Sequence, residues 1–207
     1  MIDLYSSSTP NGRKITILLE ELGIDYNPIL VSLDKKEQFS PEFSKISPTN
    51  KIPVIVDKES NQTIFESGAI LLYLAKKYNK FLNQKDYWNV VQWLFFQMAY
   101  VGPMLGQAHQ YLFYNRDKSK FAEEKSKGYV NNVYKILEAQ LSKNNYISND
   151  YSIADIAVWP WVARFERHQI NLKQYPNVLR WYINISKRAA VIKGYNVIGD
   201  FNEIPIP

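Results

Sequence analysis

The chain has 207 residues, enough for one large domain or two small ones, and 46% of them are apolar, which is ample for a core. Its 25 basic and 20 acidic residues leave a net charge of +5; the densest cluster, Lys118 to Lys127, also holds Glu123 and Glu124 and reads as a solvated helix face, not a nucleic-acid stripe. The absence of cysteine excludes disulfides, thiolate metal sites and a cysteine nucleophile, and two histidines far apart in the chain, His109 and His168, make a metal site an unpromising expectation.

No apolar run approaches the roughly 20 residues of a membrane span, and the N-terminus lacks the basic and apolar regions of a signal peptide. A cytoplasmic protein is therefore expected. In chain order, residues 2–6 (IDLYS) read as a strand. Ile15, Leu18, Leu19 and Leu22 fall at helical spacing, and Gly23 follows as a C-terminal cap. Tyr26 to Leu33 alternates as a second strand. A β-α-β crossover of this kind makes the two strands parallel. Residues 34–50 are polar and carry Pro41 and Pro48, which predicts a long connection with a helical turn near Pro41 to Lys45. Val54 to Asp57 and Thr63 to Phe65 then form a hairpin across KESNQ. A helix runs from Ser67 to Tyr78.

After a linker over residues 80–86 everything reads helical. Tyr87 to Ala99 is apolar and aromatic, with Gly102-Pro103 expected to break or kink it. Val130, Val133, Tyr134, Leu137 and Leu141 share one face of a helix over 119–141. Ser152 to Phe165 is a further apolar helix, Val178, Trp181, Tyr182 and Ile185 mark a last one, and the tail from Gly194 is expected to be irregular. The predicted fold is an α/β domain over residues 1–79 (β-α-β-α-β-β-α), then an all-α domain over 87–207.

Four stretches carry chemical information. In NKIPVIVD, Pro53 opens a strand, where a missing N–H is tolerated; a cis Ile52-Pro53 bond is the sharper alternative, leaving the Ile52 backbone free for an extended ligand. In FESGAILLYL, Ser67 is either a plain helix cap or part of a carboxylate site made by a hydroxyl and free N–H groups. Glu66 beside it can hold an ammonium, so the pair suits an α-amino-acid head. In YSIADIAVWPW, Ser152 and Asp155 fit a capping box. Finally, SSSTPNGRK places Ser8, Thr9 and Asn11 between a strand and a helix, with Pro10 favourable at the first helical position.

Together these residues resemble the glutathione transferase family, and the resemblance implies a thioredoxin-like N-terminal domain and an all-helical C-terminal one. The strings MIDLY, TPNGRKITILLEE, QFSPEF, ISPTNKIPVIVD, FESGAILLYLA, QWLFFQ, GPMLGQ and YSIADIAVWPWV resemble most the bacterial nu class, whose members look like glutathione-dependent disulfide-bond reductases. The resemblance implies that Glu66 and Ser67 bind the γ-glutamyl head of glutathione, that Ile52, before Pro53, pairs its backbone with the cysteinyl part, and that Lys51 and Gln38 contact the glycine end. Thr9 and Asn11 then lie near the sulfur, with Ser8 the alternative donor used in serine-type classes and Tyr5 a further one. Lys125 stands where the nu class often has arginine, followed by Ser126 in place of tyrosine. Lysine keeps the charge and loses the bidentate fork.

The implied activity is thiol–disulfide exchange with glutathione as cosubstrate, no metal, and a small-molecule disulfide as partner. Conjugation of glutathione to a small electrophile is the alternative, and a non-catalytic binding or regulatory protein a further one. Met104, Gln107, His109 and Tyr111 are candidates for a second-substrate wall and equally for ordinary packing, whereas His168 reads as a surface or helix C-terminal residue without a role. A homodimer is expected, with no nucleic acid or membrane partner.

Overall fold

The computed structural model describes residues 1–199 and 203–207. They form two compact units. The first comprises Met1–Lys80 with Lys187–Ile204, and the second Phe81–Ser186 with Pro205–Pro207.

The first unit is built on a four-stranded sheet in the order β2-β1-β3-β4, with β1 at Ile2–Ser6, β2 at Tyr26–Leu30, β3 at Val54–Asp57 and β4 at Gln62–Phe65. β1 pairs parallel with β2 and antiparallel with β3, and β3 pairs antiparallel with β4. Helices α1 (Pro10–Leu22), α2 (Pro41–Ile46) and α3 (Ser67–Tyr78) complete the β-α-β-α-β-β-α order. The second strand stops at Leu30, short of the expected Leu33. Only β1 borders it, so Pro28 sits on an edge where its missing N–H breaks no ladder.

The turn into α1 is set by local chemistry. Thr9 caps the helix, its Oγ1 accepting the Gly12 N–H at 3.1 Å, and Pro10 takes the first turn. Gly12 is required there, because a Cβ would stand 2.1 Å from the Ser7 carbonyl oxygen.

The first unit also claims a helix from the far end of the sequence. Helix α9 (Ala189–Tyr195) packs on α1, so the all-helical region expected to run to residue 207 loses residues 187–204 to the first unit, apart from those outside the described set. The physical reason is a close backbone approach. A Cβ on Gly194 would meet Ile17 Cα at 2.6 Å, and Thr16 Oγ1 donates to the Gly194 carbonyl at 2.5 Å. Arg13 stacks on the Tyr195 ring at 3.5 Å, and Arg188 pairs bidentately with Glu21. Gly194 is therefore helical, contrary to the irregular tail expected from that residue; seven residues are too few for a periodic pattern to declare itself.

The second unit holds α4 (Tyr87–Phe96), α5 (Gly102–Ala108), α6 (Lys120–Leu141), α7 (Ile153–Val162) and α8 (Pro176–Ser186). Gly102-Pro103 does not break the chain's helical path. A wide π-type turn at Gln97–Val101 leads into α5, and Pro103 falls in its first turn, where a proline N–H is not needed. All ten residues of α7 are buried. A helix apolar on every side belongs inside a core. It ends at Val162 rather than Phe165, and a 3-10 turn at Phe165–His168 follows.

Candidate functional site

A cleft of about 150 Å³ in the first unit is lined by Asn11, Thr49, Lys51, Ile52, Pro53, Glu66 and Ser67. Six of the seven are residues singled out from the sequence; Thr49, in the connection before β3, is the addition. Three segments supply them: the start of α1, the loop before β3, and the start of α3.

The loop before β3 is held by one buried hydroxyl. Ser47 Oγ accepts the Lys51 N–H at 3.0 Å and donates to the Lys51 carbonyl at 2.8 Å. Asn50 adopts φ 54, with its side-chain oxygen accepting from Ser44 Oγ at 2.7 Å. The Ile52-Pro53 peptide is cis. Neither the N–H nor the carbonyl of Ile52 enters a backbone hydrogen bond among the described residues.

At the start of α3, Glu66 occupies the capping position with φ 70 and ψ 116, and its side chain makes no capping bond. A glutamate at positive φ is costly, about 1–3 kcal/mol. Glu66 is exposed and Ser67 buried. Behind Ser67 lies Lys14 of α1, which is buried, its Nζ donating to Ser67 Oγ at 3.2 Å. Burial pushes the Lys14 ammonium well below the usual lysine range, with the Glu66 charge opposing it. Lys14 was not among the residues singled out from the sequence. Its signal is faint: it directly precedes Ile15, at the edge of the apolar face of α1.

The other candidates fall as follows. Thr9 is committed as the α1 cap. Ser8 is half-buried, and a Cβ on Gly199 would meet its Oγ at 2.9 Å. Gln38 lies in the 3-10 turn Glu37–Phe39, its Oε1 buried without a hydrogen-bond partner among the described residues. Tyr5 is not among the residues lining this cleft. It packs against Phe43 and lines a separate cavity with Val31, Glu37, Ser40, Glu42 and Ile46.

Lys125 belongs to the second unit, exposed on α6, its Nζ 5.9 Å from the ring centroids of Phe121 and Tyr129. His168 stands at the C-terminal end of the 3-10 turn Phe165–His168, the helix-end alternative, and is buried rather than at the surface: its Nε2 lies 3.0 Å from His109 Nε2 and its Nδ1 2.9 Å from Tyr134 Oη. The two histidines, 59 positions apart in sequence, are in contact. His109 is buried with them and stacks on Trp161. Among the described residues no group of three or more His, Asp or Glu is placed to hold a metal ion, and no helix is long and apolar enough to cross a membrane.

A thioredoxin-like unit with a cis-proline beside an uncapped helix start, continued by an all-helical unit, is the architecture of the glutathione transferases. Residues 2–76 match the family model described as glutathione S-transferase, N-terminal domain, and residues 97–189 the one for its C-terminal domain. The chain belongs to the glutathione S-transferase family. It is 44% identical over 198 residues to the disulfide-bond oxidoreductase YfcG of Escherichia coli K12, covering 92% of each chain. Among solved structures, a Pseudomonas putida glutathione transferase with one glutathione disulfide bound per subunit matches at a TM-score of 0.91 and 37% identity, over 96% of this chain and 92% of that one. A Burkholderia graminis glutathione transferase with two glutathione molecules per subunit matches at 0.89 and 35%, over 95% and 88%.

Proposed function

We propose that the protein is a glutathione-dependent disulfide-bond reductase. The observation that carries the reading is the uncapped head of α3, where Glu66 and Ser67 share one cleft with Asn11, Lys51 and Ile52. In this reading Glu66 takes the ammonium of the γ-glutamyl head. Ser67, with the N–H groups at the start of α3, takes its carboxylate. The backbone of Ile52, beside Pro53, pairs with the cysteinyl residue, and Lys51 and Gln38 meet the glycine end.

Glutathione supplies the sulfur that this cysteine-free chain lacks. A free thiol with a pKa near 8.5 is mostly protonated at neutral pH, and each unit of lowering requires about 1.4 kcal/mol of extra thiolate stabilisation. Asn11, with an amide N–H at the positive end of α1, can supply that scale by a hydrogen bond and a helix dipole acting together. Thr9 Oγ1 accepts from Gly12 and keeps its own O–H to donate. In the net reaction two glutathione thiols are oxidised to one glutathione disulfide while the substrate disulfide is reduced to two thiols. The kinship to YfcG and the glutathione disulfide in the Pseudomonas putida structure support this choice over conjugation.

The test compares glutathione-dependent reduction of hydroxyethyl disulfide with conjugation of a chloronitrobenzene. Reduction is expected to dominate; faster conjugation overturns the choice, and failure to bind immobilised glutathione overturns the reading as a whole. Asn11→Ala is expected to cut turnover more than Ser8→Ala, and the reverse order would assign the sulfur contact to Ser8. A cytoplasmic homodimer belongs to the same reading. Trp88 and Phe95, seven positions apart on α4 and both exposed, are offered as part of its interface, and sedimentation of the purified chain decides it.

A further inference from the structure

Where α2 meets the sheet, the first unit holds a second cavity, of about 330 Å³, which shares no lining residue with the cleft at α3. Its floor follows from strand register. Tyr5 of β1 stands opposite Ile29 of β2 and Val54 of β3. Val31 continues from β2, its N–H on the Ser6 carbonyl at 2.8 Å, and α2 adds Phe43 and Ile46 to the same apolar cluster. Val31 and Phe43 are buried, whereas Glu37 and Glu42 are exposed and mark the mouth. We propose that this cavity is a further binding site, for a small organic ammonium with one aromatic ring. The ring rests on Tyr5, Val31, Phe43 and Ile46, and the charged head meets Glu37 and Glu42. This site does not rest on the glutathione reading of the other cleft.

The lining selects both the sign of the ligand and its hydrogen-bonding sense. Its polar side chains are those of Tyr5, Glu37, Ser40 and Glu42; all offer oxygen, and none carries an N–H. Glu37 Oε2 accepts the Ser32 N–H at 2.7 Å, and Ser40 Oγ accepts the Phe43 N–H at 3.2 Å. Among the described residues neither glutamate enters an ion pair. An ammonium has hydrogens and no lone pair, so a wall of acceptors suits it. An anion would face two carboxylates with no lysine or arginine in the lining to offset them.

The apolar part of the lining fits a flat body. The Tyr5 and Phe43 rings lie 6.4 Å apart and are tilted by 58°, with the aliphatic Val31 and Ile46 beside them. An apolar cavity of about 150 Å³ already holds benzene, so this one has room for a ring and a short amine chain. A cation close to the Tyr5 ring also gains from the ring's quadrupole. Few voids of this size occur inside a packed unit, and a mostly apolar hollow with a few converging polar groups is the usual make-up of a small-molecule site.

The experiment uses 2-phenylethylamine, which is charged at pH 7. Its controls are 2-phenylethanol and phenylacetate, which keep the ring and make the head neutral or anionic. Binding is followed through the backbone amide resonances of the full chain. The amine is expected to bind with a Kd below about 1 mM and to shift the amides of Val31, Phe43 and Ile46 most. The alcohol is expected to bind about fivefold more weakly, and phenylacetate more weakly again. Combining Glu37→Gln with Glu42→Gln, both at exposed positions, should weaken the amine about fivefold and leave the alcohol unchanged. Ile46→Phe, which fills the cavity, should weaken both. The double glutamine variant decides the matter even if Ile46→Phe does not fold. No binding of the amine, equal affinity for the amine and phenylacetate, or largest shifts elsewhere in the chain overturns the proposal. So does a loss of amine binding in Glu66→Gln as large as in the double variant, which would put the amine in the cleft at α3.

Discussion

Two helix starts in this chain solve the same problem in opposite ways. Every α-helix begins with N–H groups that lack partners and with the positive end of a dipole. At α7 the protein closes that end with its own carboxylate. Asp155 accepts the Ser152 N–H at 3.0 Å and its hydroxyl at 3.2 Å, while the other oxygen takes the Ile147 N–H and the Trp181 indole, each at 2.9 Å. At α3 no side chain caps the helix, and the residue in the capping position, Glu66, is held at a positive φ. The closed start is saturated with internal bonds and contributes stability. The open start has no side-chain cap, and on the proposed reading its donors meet the ligand carboxylate.

That contrast is most directly broken at Asp155. Burial pushes its carboxyl up to about 6, against the pull of four donors. Asp155→Ala leaves those donors buried without a partner, at about 1–3 kcal/mol each where no water can reach. The expected loss is about 3 kcal/mol or more, read by urea unfolding, while the folded fraction retains its affinity for glutathione. A loss of affinity with unchanged stability would reverse the assignment of the two helix starts.

The second closed cluster of the helical unit makes a related prediction for pH. Burial, aided by the positive charges of Arg167 and Arg164, brings His109 down to about 4, and His168 is lowered in the same direction by burial and its neighbours. The unfolded chain, with histidines near 6.5, binds protons first as pH falls. Stability from the neutral pair is therefore full above about pH 6.5 and is lost as pH drops toward 4. Asp155, raised in the fold, contributes with the opposite sign in part of this window, so the comparison is with His109→Gln. About 2 kcal/mol of the acid-induced loss between pH 7 and pH 5 is expected to vanish in that variant. Imidazole resonances titrating near 6.5 in the folded wild type would rule the mechanism out.

The two regions also differ in how much of them could be read from the residues. The capping box at Ser152 and Asp155 was legible because its partners are three positions apart, and the sheet followed from alternation and turn residues. In the cleft, the local physics of Glu66 and Ser67 already suited a zwitterionic head and that of Ile52-Pro53 an extended ligand, whereas Lys51 and the role of Asn11 came with the resemblance to the family. What escaped is whatever depends on partners distant in sequence. Lys14 reaches Ser67 across 53 positions, and His109 reaches His168 across 59. Helix α9 was missed for the same reason: its seven residues are specified by the close approach of Gly194 to Ile17, which no local pattern records.

Glu66→Gly sharpens the contrast at the open helix start. Glycine adopts φ 70 without the Cβ penalty, so stability is expected to hold or rise by up to about 1 kcal/mol. The ammonium partner disappears, and affinity for glutathione is expected to fall by about 2 kcal/mol, close to thirtyfold. Stability and affinity then move in opposite directions, which a residue serving only as a helix cap would not produce. Parallel losses in melting temperature and affinity would return Glu66 to a structural role.

The smallest effect is expected one step away from the ligand, at Ser47. Its hydroxyl holds both the N–H and the carbonyl of Lys51, so Ser47→Ala frees the segment that presents Lys51 and Ile52 without touching α3. Lys51 is exposed, and water can replace the lost bonds, which limits the cost to about 1 kcal/mol. KM for glutathione should rise about fivefold with kcat at saturation little changed, because on the proposed reading the loosened segment meets the peptide part of the ligand and not the sulfur. A fall in kcat at saturation with KM unchanged would instead put the loosened segment at the sulfur, and the loop and the open helix end could no longer be treated as independent.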